Sequence, residues 1–352
     1  MKLLFLDRST KLDSIHDLNT RARGGMVSSL FILTNLLSEM GHTVFVLADI
    51  GNPGETQSGA RWFPVEQYRL FSSCDFLIFN RGTGGGLPEV KAKHRILWTH
   101  DLPHNGFIPD PNIMGAFSAT VFMSKYAERV WRAFYRTIGK SYTIPNGVDK
   151  ERFRPAICKD ENYVIYASAP NRGLKRLPLI FEAVRNRTRP ELHMTAFSNM
   201  AQMHPNEIGE DGDEYELTYK SVRESEVELR VPIPQADLAV ELGRASLMIL
   251  PTDYPEICSN IILQSLSCGT PVITTGGVGS AGEWITHGKN GMLTEFQPRD
   301  YMVYQMEMTR NAIEVLSDGK KHARMCTNAA NTKTQSWDYI ARKWDKMFRR
   351  LN

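Results

Sequence analysis

The chain is poor in everything that would place it outside a reducing, aqueous setting. Its 352 residues hold five cysteines (Cys74, Cys158, Cys258, Cys268, Cys326), odd in number, scattered and without a C-x-x-C pair. Neither a disulfide framework nor a thiolate zinc site is indicated, and a cytoplasmic location is expected. No apolar run reaches the roughly eighteen residues that would cross a bilayer. The short apolar start, residues 1–6, is followed at once by Asp7 and Arg8, which reads as a buried strand rather than a signal peptide. Charge of one sign is lacking too: 42 basic side chains against 39 acidic leave +3, which neither demands nor excludes a polyanionic partner. Heptads, tandem repeats and low-complexity tails are absent. What the chain does have is 42% hydrophobic residues over more than one average domain length, enough for two cores.

The stretch 250–275, LPTDYPEICSNIILQSLSCGTPVITT, organises the rest. An apolar run ending at Leu250 and another beginning at Pro271 read as buried strands, and Ile261, Ile262, Leu266 and Cys268 give one face of a helix stopped by Gly269. In an open parallel sheet, ligands sit outside the carboxyl ends of strands, and 254–260 lies at such an end. Glu256 and Gln264 are eight residues apart, so one falls at the loop-to-helix junction and the other about two turns along the helix. The backbone amides of Cys258, Ser259 and Asn260 at the helix N-terminus would suit a phosphate, and Ile257 beside them is a further donor-binding candidate. A capped surface helix with a stray carboxylate fits the same spacing.

Earlier in the chain, residues 2–7 read as a first strand and 10–23 as a polar loop. A helix over 27–40 (Leu30, Leu33, Leu36, Leu37) and a second strand over 42–47 complete a βαβ unit with Gly24-Gly25 before the helix. Paired glycines let a backbone come close to a pyrophosphate, although they also mark ordinary turns; the pattern is not G-x-G-x-x-G. Further strands are expected at 74–79, 95–98 and 119–124, the second followed by His100-Asp101. A helix over 125–138 mixes Arg129, Trp131, Arg132, Phe134, Tyr135 and Arg136, with Lys140 just beyond. An anionic membrane or a nucleic-acid backbone would suit the Arg129–Lys140 segment, and so would a helix with its aromatics in the core and its bases in water.

The second half restarts with a strand at 162–167, then Arg172-Gly-Leu174 and a helix through Leu177, Ile180, Phe181 and Val184. Arg172, Lys175 and Arg176 are cations where a phosphate would meet them, or a solvated set of bases. Strands follow at 192–197 and 227–231. Residues 198–225 read as an exposed acidic insertion whose Glu207, Glu210, Asp211 and Asp213 lack the order of a calcium loop.

Several of these segments resemble one family. PEICSNIILQSLSCGTPVITT is similar to the P-S-x-x-E-x7-E-A-x-A-x-G-x-P-V-I region of retaining nucleotide-sugar glycosyltransferases of the E-x7-E group (family 4-like, glycosyl transferases group 1). The string I-P-N-G-V-D-x-x-x-F-x-P at 144–155 resembles the close of that family's first domain. The resemblance implies an α/β chain of the GT-B class: two Rossmann-like domains with parallel sheets facing across an interdomain cleft. It implies an acceptor domain at 1–153, a donor domain at 154–335, and a helix over 336–352 crossing back to the first domain through Trp337. It further implies that Glu256 and His100 contact the donor sugar, that Arg172 and Lys175 neutralise the diphosphate, and that Gly24, Gly25 and Asn146 line the donor site. Gln264 stands where the family has a ribose-binding Glu; an amide still offers an acceptor and two donors to a diol. Residues 276–283 resemble the family's glycine-rich turn, with Glu283 capping a following helix, and 287–293 its hairpin.

The implied reaction is metal-independent sugar transfer from a nucleoside diphosphate to a saccharide, a lipid-linked sugar or a modified base in DNA, with no cofactor besides the donor. A nucleotide-sugar epimerase of the same fold and a non-catalytic sugar-nucleotide-binding protein remain as alternatives, the first lacking a clear set of extra acid and base carboxylates here. Acceptor choice is expected to lie in the loops 10–23 and 102–114.

Overall fold

A computed structural model describes residues 1–12, 15, 24–82, 89–103, 111–203, 214–295 and 300–352. The chain forms two units, Met1–Gly147 with Gln335–Asn352, and Val148–Thr334. The division falls after Gly147, ahead of the expected 153/154 boundary. Phe153 is buried in the second unit, where its carbonyl accepts the hydroxyl of Ser267 at 2.7 Å.

In unit 1 the strands are β1 (Lys2–Leu12), β2 (Thr43–Ile50), β3 (Gly54–Glu55), β4 (Arg61–Pro64), β5 (Ser73–Asn80), β6 (Lys91–Trp98), β7 (Ala119–Phe122) and β8 (Ser141–Thr143). They make one sheet in the order β3-β4-β2-β1-β5-β6-β7-β8, parallel except for the β3/β4 edge pair. The runs 3–6, 76–79 and 96–98 are buried at every position, as strands covered on both faces require. Strand β1 outlasts the expected stop at Asp7: after a register shift it pairs Lys11 with Asp49 and Leu12 with Ile50. Most of the polar loop expected up to Arg23 lies outside the described residues, as does 104–110 of the expected 102–114 loop.

Helix α1 (Gly25–Glu39) buries Leu30, Leu33 and Leu37, and Gly41 turns out of it at φ +86. Helix α2 (Lys125–Phe134) stops short of the expected Ile138, because Tyr135 becomes extended and buries its ring on Trp131, 5.3 Å between centroids.

The C-terminal helix (Trp337–Leu351) begins at Ser336, whose hydroxyl caps the amide of Tyr339. Its apolar positions 337, 340, 341, 344, 347 and 348 recur at helical spacing and are all buried. Trp344 meets Trp98 edge-on at 5.1 Å, Phe348 lies 4.6 Å from Phe76, and Asp345 bonds His42 at 3.0 Å. Gly147 of the Pro-Asn-Gly turn passes directly beneath the start of this helix. A Cβ there would stand 2.6 Å from Trp337 Cα, so no larger residue fits.

Unit 2 is a six-stranded, all-parallel sheet: β9 (Asp160–Ala167), β10 (His193–Phe197), β11 (Val227–Arg230), β12 (Ala245–Leu250), β13 (Val272–Gly276) and β14 (Gly291–Glu295), in the order β11-β10-β9-β12-β13-β14. The chain winds outward from β9 to one edge, then returns to β12 and winds to the other. The reversal between β9 and β12 is the place where such sheets open a crevice for ligands.

The helices are α3 (Leu177–Arg187), α4 (Met200–Met203), α5 (Glu216–Arg223), α6 (Gln235–Arg244), α7 (Asn260–Ser267), α8 (Tyr301–Ser317) and α9 (Gly319–Ala330). The acidic insertion is partly core: α5 buries Val222 and Tyr219, whose hydroxyl accepts the amide of Met200 at 2.8 Å, while Glu207, Glu210, Asp211 and Asp213 lie outside the described residues.

Residues 287–293 do not form the expected hairpin, because β14 runs parallel to β13. The turn is instead tied by Asn290, whose amide donates to the Trp284 carbonyl at 2.9 Å and to Thr332 at 2.8 Å. Those bonds also draw the chain off a helical path after Glu283, which closes one 3-10 turn (Ala281–Glu283) and caps no further helix.

Candidate active site at the carboxyl edge of the second sheet

Three loops meet at the switch point of unit 2, one each from the carboxyl ends of neighbouring strands β9, β12 and β13. The first carries Pro170–Arg172 and then Gly173 at φ +94. A Cβ on Gly173 would lie 2.0 Å from the Pro251 carbonyl oxygen, so the β9 and β12 loops cross only because this residue is glycine.

Arg176 locks the crossing. It is 2% exposed, and its Nη1 donates to the Pro251 carbonyl at 3.0 Å while its Nη2 meets Asp253 at 2.7 Å. Of the three bases 172, 175 and 176, this one holds the scaffold rather than facing a ligand.

Arg172 faces outward from the locked loops. Its Nε donates to Glu256 Oε1 at 2.5 Å, and its guanidinium carbon sits 3.5 Å from the centroid of the Tyr254 ring. Its Nη1 is buried without a hydrogen-bond partner among the described residues. Burial works against the charge of this guanidinium, but Glu256 and Tyr254 outweigh it, and the group is held more firmly protonated than a free arginine. The backbone of Glu256 is pinned in turn: its carbonyl accepts the amide of Ser280 at 2.8 Å. Gly279, at φ +76, lets the β13 loop approach so closely that a Cβ there would be 2.7 Å from that carbonyl.

Helix α7 starts beside Glu256. Its N-cap Ser259 makes no side-chain capping bond, leaving that end of the helix available to an anion. Ile257, Cys258 and Ser259 are buried and Asn260 is half-buried, so Ile257 and Cys258 would offer backbone rather than side chains. Further along, Gln264 Nε2 donates to Gln235 Oε1 at 2.8 Å, which orients its amide. Lys175 is exposed and has no ion-pair partner among the described residues. The structure thus brings Arg172, Glu256 and the 257–260 segment together and leaves Lys175 in solvent. Among the described residues no three His, Cys, Asp or Glu side chains cluster as metal ligands.

In unit 1 the corresponding reversal lies between β1 and β5, where buried Asp7 accepts the amide of Asn80 at 3.1 Å. Gly24 is the N-cap of α1 and Gly25 its first residue, again with no side-chain capping bond. His100 follows β6. Its ring lies 4.4 Å from Trp98, its Nε2 is buried without a partner among the described residues, and burial, with Arg81 second, lowers its pKa to about 3. It is therefore a neutral imidazole at neutral pH. Its neighbour Asp101 is engaged by Arg81 in an ion pair. Asn146 is buried in the turn ahead of Gly147. Along α2 and the segment after it, Trp131 and Tyr135 are buried and Arg132 is tied to Glu128 at 3.0 Å, while Arg129, Arg136 and Lys140 are exposed.

Residues 163–310, which carry this site, match the family model described as glycosyl transferases group 1. The match spans most of the second unit. The whole chain has the GT-B fold. It is similar to sucrose-phosphate synthase of Thermosynechococcus elongatus at 16% identity and a TM-score of 0.79, over 99% of this chain and 98% of that one. It is similar to HepE of Anabaena, solved with UDP-glucose, at 16% identity and 0.75 over 99% and 100%. A glycosyltransferase of Rickettsia africae aligns at 14% identity and 0.72 over 99% and 98%. No curated protein matches the chain in sequence. Among the described residues no helix is long and apolar enough to cross a membrane.

Within the second unit, Tyr254, Gly279 and Gln235 escaped the reading of the sequence, and Arg176, expected among the cations that would meet a phosphate, is bound to Pro251 and Asp253 instead. Tyr254 had a signal, an aromatic two residues before the loop carboxylate. Gln235 had none, since only the packing of α6 beside α7 brings it to Gln264.

Proposed function

We propose that the chain moves a sugar from a nucleoside diphosphate to an acceptor hydroxyl, a saccharide or lipid-linked sugar, with retention at the anomeric carbon and without a metal ion. The observation that carries this reading is the buried Nη1 of Arg172, unpartnered among the described residues, beside the uncapped start of α7, at the switch point of the second unit. A guanidinium and a helix N-terminus together make a site for a diphosphate. The complex of HepE with UDP-glucose supports that choice of donor.

In the reaction the bond from the anomeric carbon to the diphosphate oxygen breaks, and a bond to the acceptor oxygen forms on the same face. The acceptor proton leaves with the departing diphosphate. The chief demand is charge stabilisation of the leaving group, which fixed cations and backbone dipoles supply with little reorganisation. Arg172 takes the diphosphate, joined by Lys175 once its side chain folds over the ligand. The amides of residues 257–260 take phosphate oxygens, Glu256 the sugar hydroxyls, and Gln264 the ribose. On unit 1, Gly24 and Gly25 offer an approachable backbone, and neutral His100 offers a ring nitrogen to a sugar hydroxyl.

Thermal stabilisation by a panel of nucleoside diphosphates and their sugars tests the reading, since ligand bound at a hundred times its Kd stabilises a fold by about 2.7 kcal/mol. A shift with one nucleotide that vanishes in Arg172→Ala is the expected result. No shift with any of them would leave a binding site without a donor, and the transfer reading would fall.

A further inference from the structure

We infer that Glu256 is an exchangeable counter-ion of the donor site and that Tyr254 is the positioning residue on which the exchange turns: an incoming diphosphate displaces the Glu256 carboxylate from Arg172, while the tyrosine ring holds the guanidinium plane. This deepens the donor reading above and rests on it.

Four observations carry the inference. Arg172 and Glu256 are both sheltered, with side chains 14% and 22% exposed, and stand 2.5 Å apart. A guanidinium in that position needs an anion, and a phosphate oxygen can replace a carboxylate oxygen in kind. Second, the pair leaves Arg172 Nη1 buried and unmatched among the described residues, so the protein's own carboxylate satisfies the fork only in part, and the second donor is already desolvated for a ligand. Third, the Tyr254 ring 3.5 Å beneath the guanidinium attracts the charge through its face. That attraction survives rotation of the guanidinium within its own plane, so Arg172 can turn from carboxylate to phosphate and keep its stacking.

The fourth observation concerns what stays fixed. The Glu256 backbone is held by the Ser280 amide at 2.8 Å and by the close approach of Gly279. Release of the carboxylate therefore leaves the loop in place and frees two acceptor oxygens where the sugar hydroxyls would arrive. Phosphate binding and sugar binding become sequential uses of one side chain, with the carboxylate opposing the first and serving the second.

Calorimetric titration with inorganic pyrophosphate and with UDP tests this on the full chain and on the Glu256→Gln, Arg172→Ala, Tyr254→Leu and Tyr254→Phe variants. Removing a competing carboxylate is expected to tighten pyrophosphate binding about tenfold in Glu256→Gln, although that side chain belongs to the site. In an Arg172→Ala background the same change should give no more than about a twofold gain from net charge alone, which is the coupling a double-mutant cycle isolates. Tyr254→Leu should weaken both ligands about tenfold and Tyr254→Phe restore them, because the ring face and not the hydroxyl holds the cation. An unchanged or weaker Kd in Glu256→Gln, an equal gain with and without Arg172, or wild-type affinity in Tyr254→Leu would each overturn the exchange while Arg172-dependent binding left the donor reading standing. If the unaltered chain binds neither probe, and the Arg172→Ala substitution changes nothing, the donor reading itself fails and takes the inference with it.

Discussion

Arg172 and Arg176 are four residues apart, carry the same charge, and do opposite work. Arg176 is sealed in, giving its Nη1 and Nη2 to the Pro251 carbonyl and Asp253 and leaving only its Nε without a partner, whereas Arg172 gives its Nε to Glu256 and leaves the fork nitrogen Nη1 unmatched among the described residues. Arg176→Met should therefore cost about 3 kcal/mol of stability, the range for breaking a buried pair, and urea unfolding should show it. Arg172→Ala should lower donor affinity with a much smaller change in the midpoint. Gly173 is as restrictive for a different reason. Its φ of +94 strains any other residue, and a Cβ 2.0 Å from a carbonyl oxygen cannot be accommodated without opening the crossing of the two loops. Gly173→Ala is expected to cost about 3 kcal/mol and to weaken nucleotide binding with it, since Arg172 rides on that loop. A variant with unaltered melting and unaltered Kd would show that the loops do not depend on their crossing. The three bases were legible as a cluster in the sequence, but their roles were not. Those depend on Pro251 and Asp253, which come from a loop 75 and 77 residues away.

The C-terminal helix is the element whose loss should be felt most in unit 1. It lays Trp344 against Trp98 and Phe348 against Phe76, and its own Trp337 sits over Gly147. Trp344→Ala opens a hole where a side chain 1% exposed had been, which should cost about 3–5 kcal/mol in denaturant unfolding. A loss under about 1 kcal/mol would mean that the helix is dispensable to that core. Amphipathic spacing made this helix readable from residues 336–348 alone, as it did α1, α3 and α7. Element ends were less legible, because tertiary contacts set them: Tyr135 leaves α2 to bury its ring, and β1 runs on to pair Leu12 with Ile50. The turn before β14 shows the same limit. G-K-N-G reads as a hairpin turn by composition, yet Asn290 bonds Trp284 and Thr332, and Gly291 enters a parallel strand. A Cβ on Gly291 would meet the Val272 carbonyl oxygen at 2.4 Å, a restriction invisible without the neighbouring strand.

Across the whole molecule the two sheets share one logic: each reverses its winding at a central strand pair, and each places a polar pair at the carboxyl side of that reversal, Asp7 with Asn80 in one and Arg172 with Glu256 in the other. Parallel, doubly covered strands were recognisable as unbroken apolar runs, and so the α/β class was legible. The pairing of loops more than seventy residues apart was not. Unit 1 carries a response to acid as well. In unit 1, His100 is desolvated and its pKa falls to about 3, and burial lowers that of His42 as well. An unfolded histidine takes up its proton near pH 6.5, whereas the folded ring at position 100 refuses it until far lower. The unfolded state thus binds more protons throughout that window, so stability is full above about pH 6.5 and declines as the pH falls toward 3. Amide exchange in β5 and β6 should accelerate between pH 7 and 5, after correction for intrinsic rates. His100→Gln, which carries no titrating ring, should remove about one proton from the slope. The same neutral ring means that sugar transfer should show no inflection near pH 6.5 that the His100→Gln substitution abolishes. If the substitution did remove such an inflection, His100 would be charged in the working enzyme, and its place beside Trp98 and Arg81 would need another explanation.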